Sequence, residues 1–173
     1  MYAAELAHFW NTTGRAPKSS LKIQIDHLSN FSPPPKFGPY STSSSSTAPD
    51  DLDPEELCVR NLLLGSLYRS QGDLPLAEKF LVACVEAESS VGEEKWACAF
   101  ARYELAICSC QQGDIDSKGP EGKSAWEGHL GAAEQLLATV FALAGDYNLR
   151  SRLESRAQML RDEIEAKRAA IAT

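Results

Sequence analysis

Apolar positions along most of this chain recur with the 3.6-residue period of amphipathic helices. The clearest stretch is residues 62–85, LLLGSLYRSQGDLPLAEKFLVACV. Leu64, Gly65 and Tyr68 share one face of a first helix, where Gly65 leaves room for a close neighbour. Gly72 predicts the end of that helix, because glycine takes the left-handed conformation of a helix terminus. Asp73 then caps a second helix with Pro75 in its first turn, and Ala77, Leu81 and Cys84 form its apolar stripe at i, i+4, i+7. Asp53-Pro54-Glu55-Glu56 predicts the start of the first helix: a capping residue, Pro in the first turn, then two acids favoured by the helix dipole. A third helix opens near Glu93, carries Trp96, Phe100, Tyr103, Leu105, Ile107 and Cys110, and is expected to end at Gln112-Gly113-Asp114, an echo of Gln71-Gly72-Asp73. Residues 116–128 are polar and read as a loop. A fourth helix spans 129–144. A last one spans 148–170, with Leu149, Leu153, Leu160, Ile164 and Ile171 in one stripe and mixed charges elsewhere.

The order Leu64-Gly65-x-x-Tyr68, then Ala77-x-x-x-Leu81, is the pattern of a tetratricopeptide helix pair, with Asn61 where Trp is usual, Leu81 for Phe and no closing Pro. Ala133-Glu134-Gln135-Leu136-Leu137 repeats Ala77-Glu78-Lys79-Phe80-Leu81 position for position. The expected fold is therefore all-α: a tetratricopeptide-like antiparallel helix-pair solenoid over residues 54–172, closed by a C-terminal capping helix. Upstream, residues 1–13 read as an isolated apolar helix with Leu6 and Trp10 at i, i+4. Residues 14–53 carry Pro33-Pro34-Pro35 and the serine run 43–46, a composition too poor in apolar side chains to offset the entropy of ordering. They read as a disordered Ser/Pro-rich linker, with one strand-like patch at Leu21-Lys22-Ile23-Gln24-Ile25.

Charge narrows the function. Residues 1–50 hold four Lys/Arg against three Asp/Glu, and residues 51–173 hold thirteen against twenty-one. An acidic folded half argues against nucleic-acid binding by phosphate neutralisation. No apolar run reaches the length of a membrane-spanning helix, and the N-terminus lacks a basic leader, so a soluble intracellular protein is expected, with any membrane contact peripheral. The five cysteines, Cys58, Cys84, Cys98, Cys108 and Cys110, form no C-x-x-C pair. Cys108 and Cys110 point about 200° apart on a helix, so all five read as small buried thiols. His8, His27 and His129 lie in separate segments with no acidic or Cys partner at ligand spacing. Gly119-Pro120-Glu121-Gly122-Lys123 lacks the order and the preceding strand of a phosphate-binding loop. No catalytic constellation, cofactor motif or metal-ligand spacing is found, and the chain is expected not to be an enzyme.

Leu64-Gly65-x-x-Tyr68, Phe100-Ala101-Arg102-Tyr103-Glu104-Leu105, Tyr147-Asn148-Leu149-Arg150-Ser151-Arg152-Leu153 and the start Glu5-Leu6-Ala7-His8-Phe9-Trp10-Asn11 carry a resemblance. The chain resembles the C-terminal part of the fungal inclusion body clearance proteins, related to the animal tetratricopeptide repeat protein 39 family, over residues 2–11 and 55–160. Members are much longer, so the resemblance implies a C-terminal portion, a truncated product or a divergent short form. It implies a non-catalytic interaction scaffold in clearing misfolded-protein inclusions. It also implies a cytosolic protein found at the nucleus, the mitochondrial outer membrane or lipid droplets, with misfolded or lipid-droplet-associated proteins as partners. The Ser/Pro linker departs from the family's compact connection.

In tetratricopeptide pairs the first helix of each pair lines the concave face. That rule places Val59, Leu62, Ser66 and Arg69 of one repeat, and Phe100, Tyr103, Ile107 and Cys110 of the next, along a peptide groove. The face is mostly apolar and lacks the charge-assisted donors that a carboxylate-tail clamp needs. It either holds an apolar segment of a partner or is filled by the chain's own residues 2–10 or last helix. If filled, the chain is a structural end-cap with no partner of its own.

Overall fold

The structure, a computed structural model, describes residues 5, 8, 13–31, 34–41, 53–93, 95–119, 122–143 and 149–172. Among them it is all-helical, with no strand. The α-helices are α1 (Lys18–Ser29), α2 (Pro54–Gln71), α3 (Leu74–Glu86), α4 (Lys95–Asp116), α5 (Lys123–Ala142) and α6 (Arg150–Ala172).

The hairpin of α2 and α3 is written locally. Asp53 accepts from the Glu55 amide at 3.0 Å and Pro54 opens α2. Gly72, at φ 92°, ends it, with the Gly72 and Asp73 amides donating back to the Arg69 and Tyr68 carbonyls, the double closure of a left-handed helix terminus. Asp73 then caps α3 by accepting from Leu76 N. With two residues between them, the helices fold back on each other. A Cβ on Gly65 would come within 2.5 Å of Leu81 Cγ and 3.2 Å of the Ala77 carbonyl. Gly65 is thus the point of closest approach between α2 and α3, as its spacing from Tyr68 predicts. Tyr68 stacks on Phe80, and Ala77 and Ala133 are fully buried.

Helix α2 is buried on nearly every face, the mark of a central helix. It packs on α1, α3 and α4, while α4 packs against α5 and α6 docks on both. The stripe of α6 is buried at Leu153, Leu160 and Ile164, together with Ala157. Lys167 lies 3.6 Å above the Trp126 ring, and Arg168 pairs with Glu134 at the rim.

Three expectations are corrected. The strand-like patch 21–25 is helical. Leu21 and Ile23 suggest alternation, but the buried set is Leu21, Ile25 and Leu28, and Ile23 is 68% exposed. Over the described residues 14–31 and 34–41 the chain is packed rather than a loose linker. Helix α1 packs on α2, Phe37 meets Phe80 edge-on at 5.3 Å, and the Arg60 guanidinium donates to the Phe31 carbonyl. The serine run lies outside the described residues. Second, Gly113 does not end a helix. It sits inside α4, where a Cβ would lie 2.9 Å from Trp126, so its lack of a side chain serves packing. Third, the loop predicted at 116–128 is shorter: α5 begins at Lys123, and Trp126 is part of the core. In the predicted helix 1–13, Glu5 and His8 are helical, while Leu6 and Trp10 lie outside the described residues.

Candidate functional site

The two helices that carry the predicted groove residues, α2 and α4, pack on each other. Val59, Leu62, Ser66 and Phe100 are buried, and Ser66 Oγ donates to its own helix at the Leu62 carbonyl. Tyr103, Ile107 and Cys110 are half-buried against the same core. The chain supplies the cover. The His8 ring meets Phe100 edge-on at 5.3 Å, and Trp96 does so at 6.0 Å. Arg156 of α6 lies 5.8 Å from the Phe100 ring centroid. Phe100 is therefore covered from within and Val59, Leu62 and Ser66 are core, while Arg69, Tyr103, Ile107 and Cys110 keep partial exposure.

The polar residues of this face form a closed knot. Arg69 Nε donates to Glu104 Oε2 at 2.5 Å, with 10% and 4% of their side chains exposed. Burial works against the Arg69 charge, but the Glu104 carboxylate outweighs it and pushes the guanidinium pKa up. His8 is drawn down from 6.5 to about 4 by burial, with Arg156 and Arg69 reinforcing this and Glu104 opposing it. Tyr103 is pushed up to about 12 by burial and by Glu104. Chemically, the carboxylate is engaged by a guanidinium and the neighbouring imidazole is held neutral. This arrangement fixes residue 8, α2 and α4 in register.

Two further groupings escaped sequence reasoning. His129 Nε2 lies 2.9 Å from Asp116 Oδ2, an acidic partner thirteen residues away that the packing of α5 against α4 brings near. More consequential is a cysteine cluster. Cys58 of α2, Cys84 of α3 and Cys98 of α4 have no exposed surface, and their sulfurs lie within 4.8 Å of one another. The Cys58 sulfur is 3.3 Å from that of Cys84 and 3.4 Å from that of Cys98. Hydrogen bonds with Cys58 and Cys84 lower the Cys98 thiol pKa, while hydrogen bonds with Cys58 and Cys98 and then burial raise that of Cys84. The Ala77-Leu81-Cys84 stripe predicts the burial of Cys84. Its partners, 26 and 14 residues away, were set by tertiary register.

With this geometry in place, comparison with known proteins gives one informative likeness. The chain is similar to an inclusion body clearance protein. It is 26% identical to Inclusion body clearance protein IML2 of Candida glabrata over 172 aligned positions, covering 93% of this chain and 20% of that protein. The chain therefore spans about one fifth of the length of this relative, and the likeness agrees with the resemblance carried by its motifs. No family model matches the chain, and no solved structure does. Among the described residues no helix is long and apolar enough to cross a membrane.

Proposed function

We propose that this chain is a non-catalytic helical scaffold that contributes protein–protein contacts to the clearance of misfolded-protein inclusions, with its helix pairs stacked in tetratricopeptide fashion. The observation that carries the reading is the likeness to IML2 along nearly the whole chain. The pairing of α2 with α3 and of α4 with α5 supports it, since each pair buries its apolar face only by stacking on the next. In this reading partner contacts fall on the outer faces of the helices and on the partly exposed Arg69, Tyr103, Ile107 and Cys110.

A second reading is a structural end-cap without partners of its own. The occupied α2–α4 face favours it, as does α6, whose apolar stripe is buried while charged residues face out. Proximity labelling separates the two. The full chain, fused to a labelling enzyme, is expressed in fungal cells forming misfolded-protein inclusions, beside an unrelated helical protein carrying the same fusion. The scaffold reading expects inclusion components to be enriched over the control and inclusions to disappear faster when the chain is overproduced. Labelling indistinguishable from the control, with unchanged inclusion lifetime, contradicts it and supports the end-cap.

A further inference from the structure

Three thiols drawn from three helices, across sequence separations of 26 and 40 residues, meet at one buried point. We propose that Cys58, Cys84 and Cys98 form a structural site for a thiophilic d10 metal ion, Zn2+, that ties α2, α3 and α4 together.

The donor set decides the chemical class. Three sulfur ligands select a soft or borderline ion over Mg2+ or Ca2+, which take oxygen. Zinc–thiolate bonds of about 2.3 Å place three sulfurs roughly 4 Å apart around the ion. The sulfur separations of 3.3 and 3.4 Å need to open by about half an ångström for that bond length, a shift within reach of side-chain rotation.

A fourth donor is at hand. The Cys84 carbonyl lies in the last turn of α3, where the final carbonyls lack a partner further along the helix. It is 3.3 Å from the Cys98 sulfur and 3.6 Å from the Cys58 sulfur. The partial negative charge of that carbonyl favours a cation there. Three thiolates and an oxygen around one ion fill the four positions of a tetrahedral site.

The surroundings hold the three helices in place for it. Glu55, one turn before Cys58, accepts from the Gly92 and Glu93 amides and so fixes the approach to α4. Arg102, one turn after Cys98, donates to the Cys98 carbonyl at 3.4 Å and pairs with Glu88 at 2.6 Å. Zinc with three thiolates carries one net negative charge, and the Arg102 guanidinium nearby is shared with Glu88. Binding exchanges three S–H protons, released to solvent, for three Zn–S bonds; no electron is transferred and no oxidant is required. Cys108 and Cys110 lie outside the cluster and serve as internal controls.

The test uses the full chain purified with reductant and without chelator. Metal content is measured by mass spectrometry, cobalt is added as a spectroscopic stand-in, and melting is followed with zinc or with EDTA. The expected results are one zinc per chain, a thiolate-to-cobalt charge-transfer band, and a melting temperature that falls on chelation. Cys98→Val keeps an apolar side chain at the site and is expected to lose the band and the chelator sensitivity while staying helical by circular dichroism. Cys108→Ser is expected to keep both. Should the variant fail to fold, the wild-type measurements alone decide. A fully reduced wild-type chain with no cobalt band and no response to zinc or EDTA overturns the site, leaving a hydrogen-bonded thiol trio in the core. A band that survives in Cys98→Val also overturns it.

Discussion

Gly65 and Gly72 show how one residue type answers two separate demands. At Gly65 the limit is space, since a methyl group would press into Leu81 and approach the Ala77 carbonyl. At Gly72 there is room but the backbone is left-handed. Gly65→Ala is therefore expected to cost about 1–3 kcal/mol through overpacking, and Gly72→Ala about 1 kcal/mol through backbone strain, both by urea unfolding. The buried pair makes a sharper demand. Glu104→Ala leaves the Arg69 charge without its carboxylate and is expected to cost about 3–5 kcal/mol in the same assay. His8 ties stability to pH. The unfolded imidazole takes up a proton near 6.5 and the folded one only near 4, so its contribution is complete above pH 6.5 and is lost as pH falls from there towards 4. The loss amounts to about 3 kcal/mol. Unfolding curves at pH 7 and pH 4.5 should show it, and His8→Leu should flatten that part of the profile. An unchanged profile in the variant would place the dependence elsewhere.

At the scale of elements, what was legible was what is local. The α2–α3 hairpin could be read because Asp53-Pro54 and Gly72-Asp73-x-Pro75 each specify a helix end within a few residues. Helix α1 could not, because in a five-residue window Leu21, Ile23 and Ile25 fit a strand as well as a helix. Only the contact with α2 decides which apolar residue faces out. The pair of positions gives a direct check. Ile25→Ala is expected to cost about 2–5 kcal/mol and Ile23→Ala less than about 0.5 kcal/mol. Equal effects would restore the extended reading. Gly113 was ambiguous for another reason, since a glycine ending a helix and a glycine admitting Trp126 look alike in sequence. The difference lies downstream: Pro75 follows Gly72 in the first turn of the next helix, whereas Ile115 follows Gly113 and the helix continues to Asp116.

For the whole molecule, the helical class and the buried stripe of α6 follow from periodicity, but the use of the α2–α4 face does not. Val59, Leu62, Ser66, Phe100 and their neighbours look the same in sequence whether a foreign peptide or the chain itself covers them. The structure covers Phe100 with His8, Trp96 and Arg156. The same distance problem hid the thiol cluster, whose three members become neighbours only once α2, α3 and α4 are packed. Whether this face is filled decides where a partner can bind. The most direct measurement is thermal melting of Phe100→Glu beside the wild-type chain, followed by circular dichroism. A carboxylate forced into the space of the Phe100 ring, even beside Arg156, should lower the melting temperature sharply. A variant that melts like wild type while losing a bound protein would show Phe100 on an open groove and contradict the account.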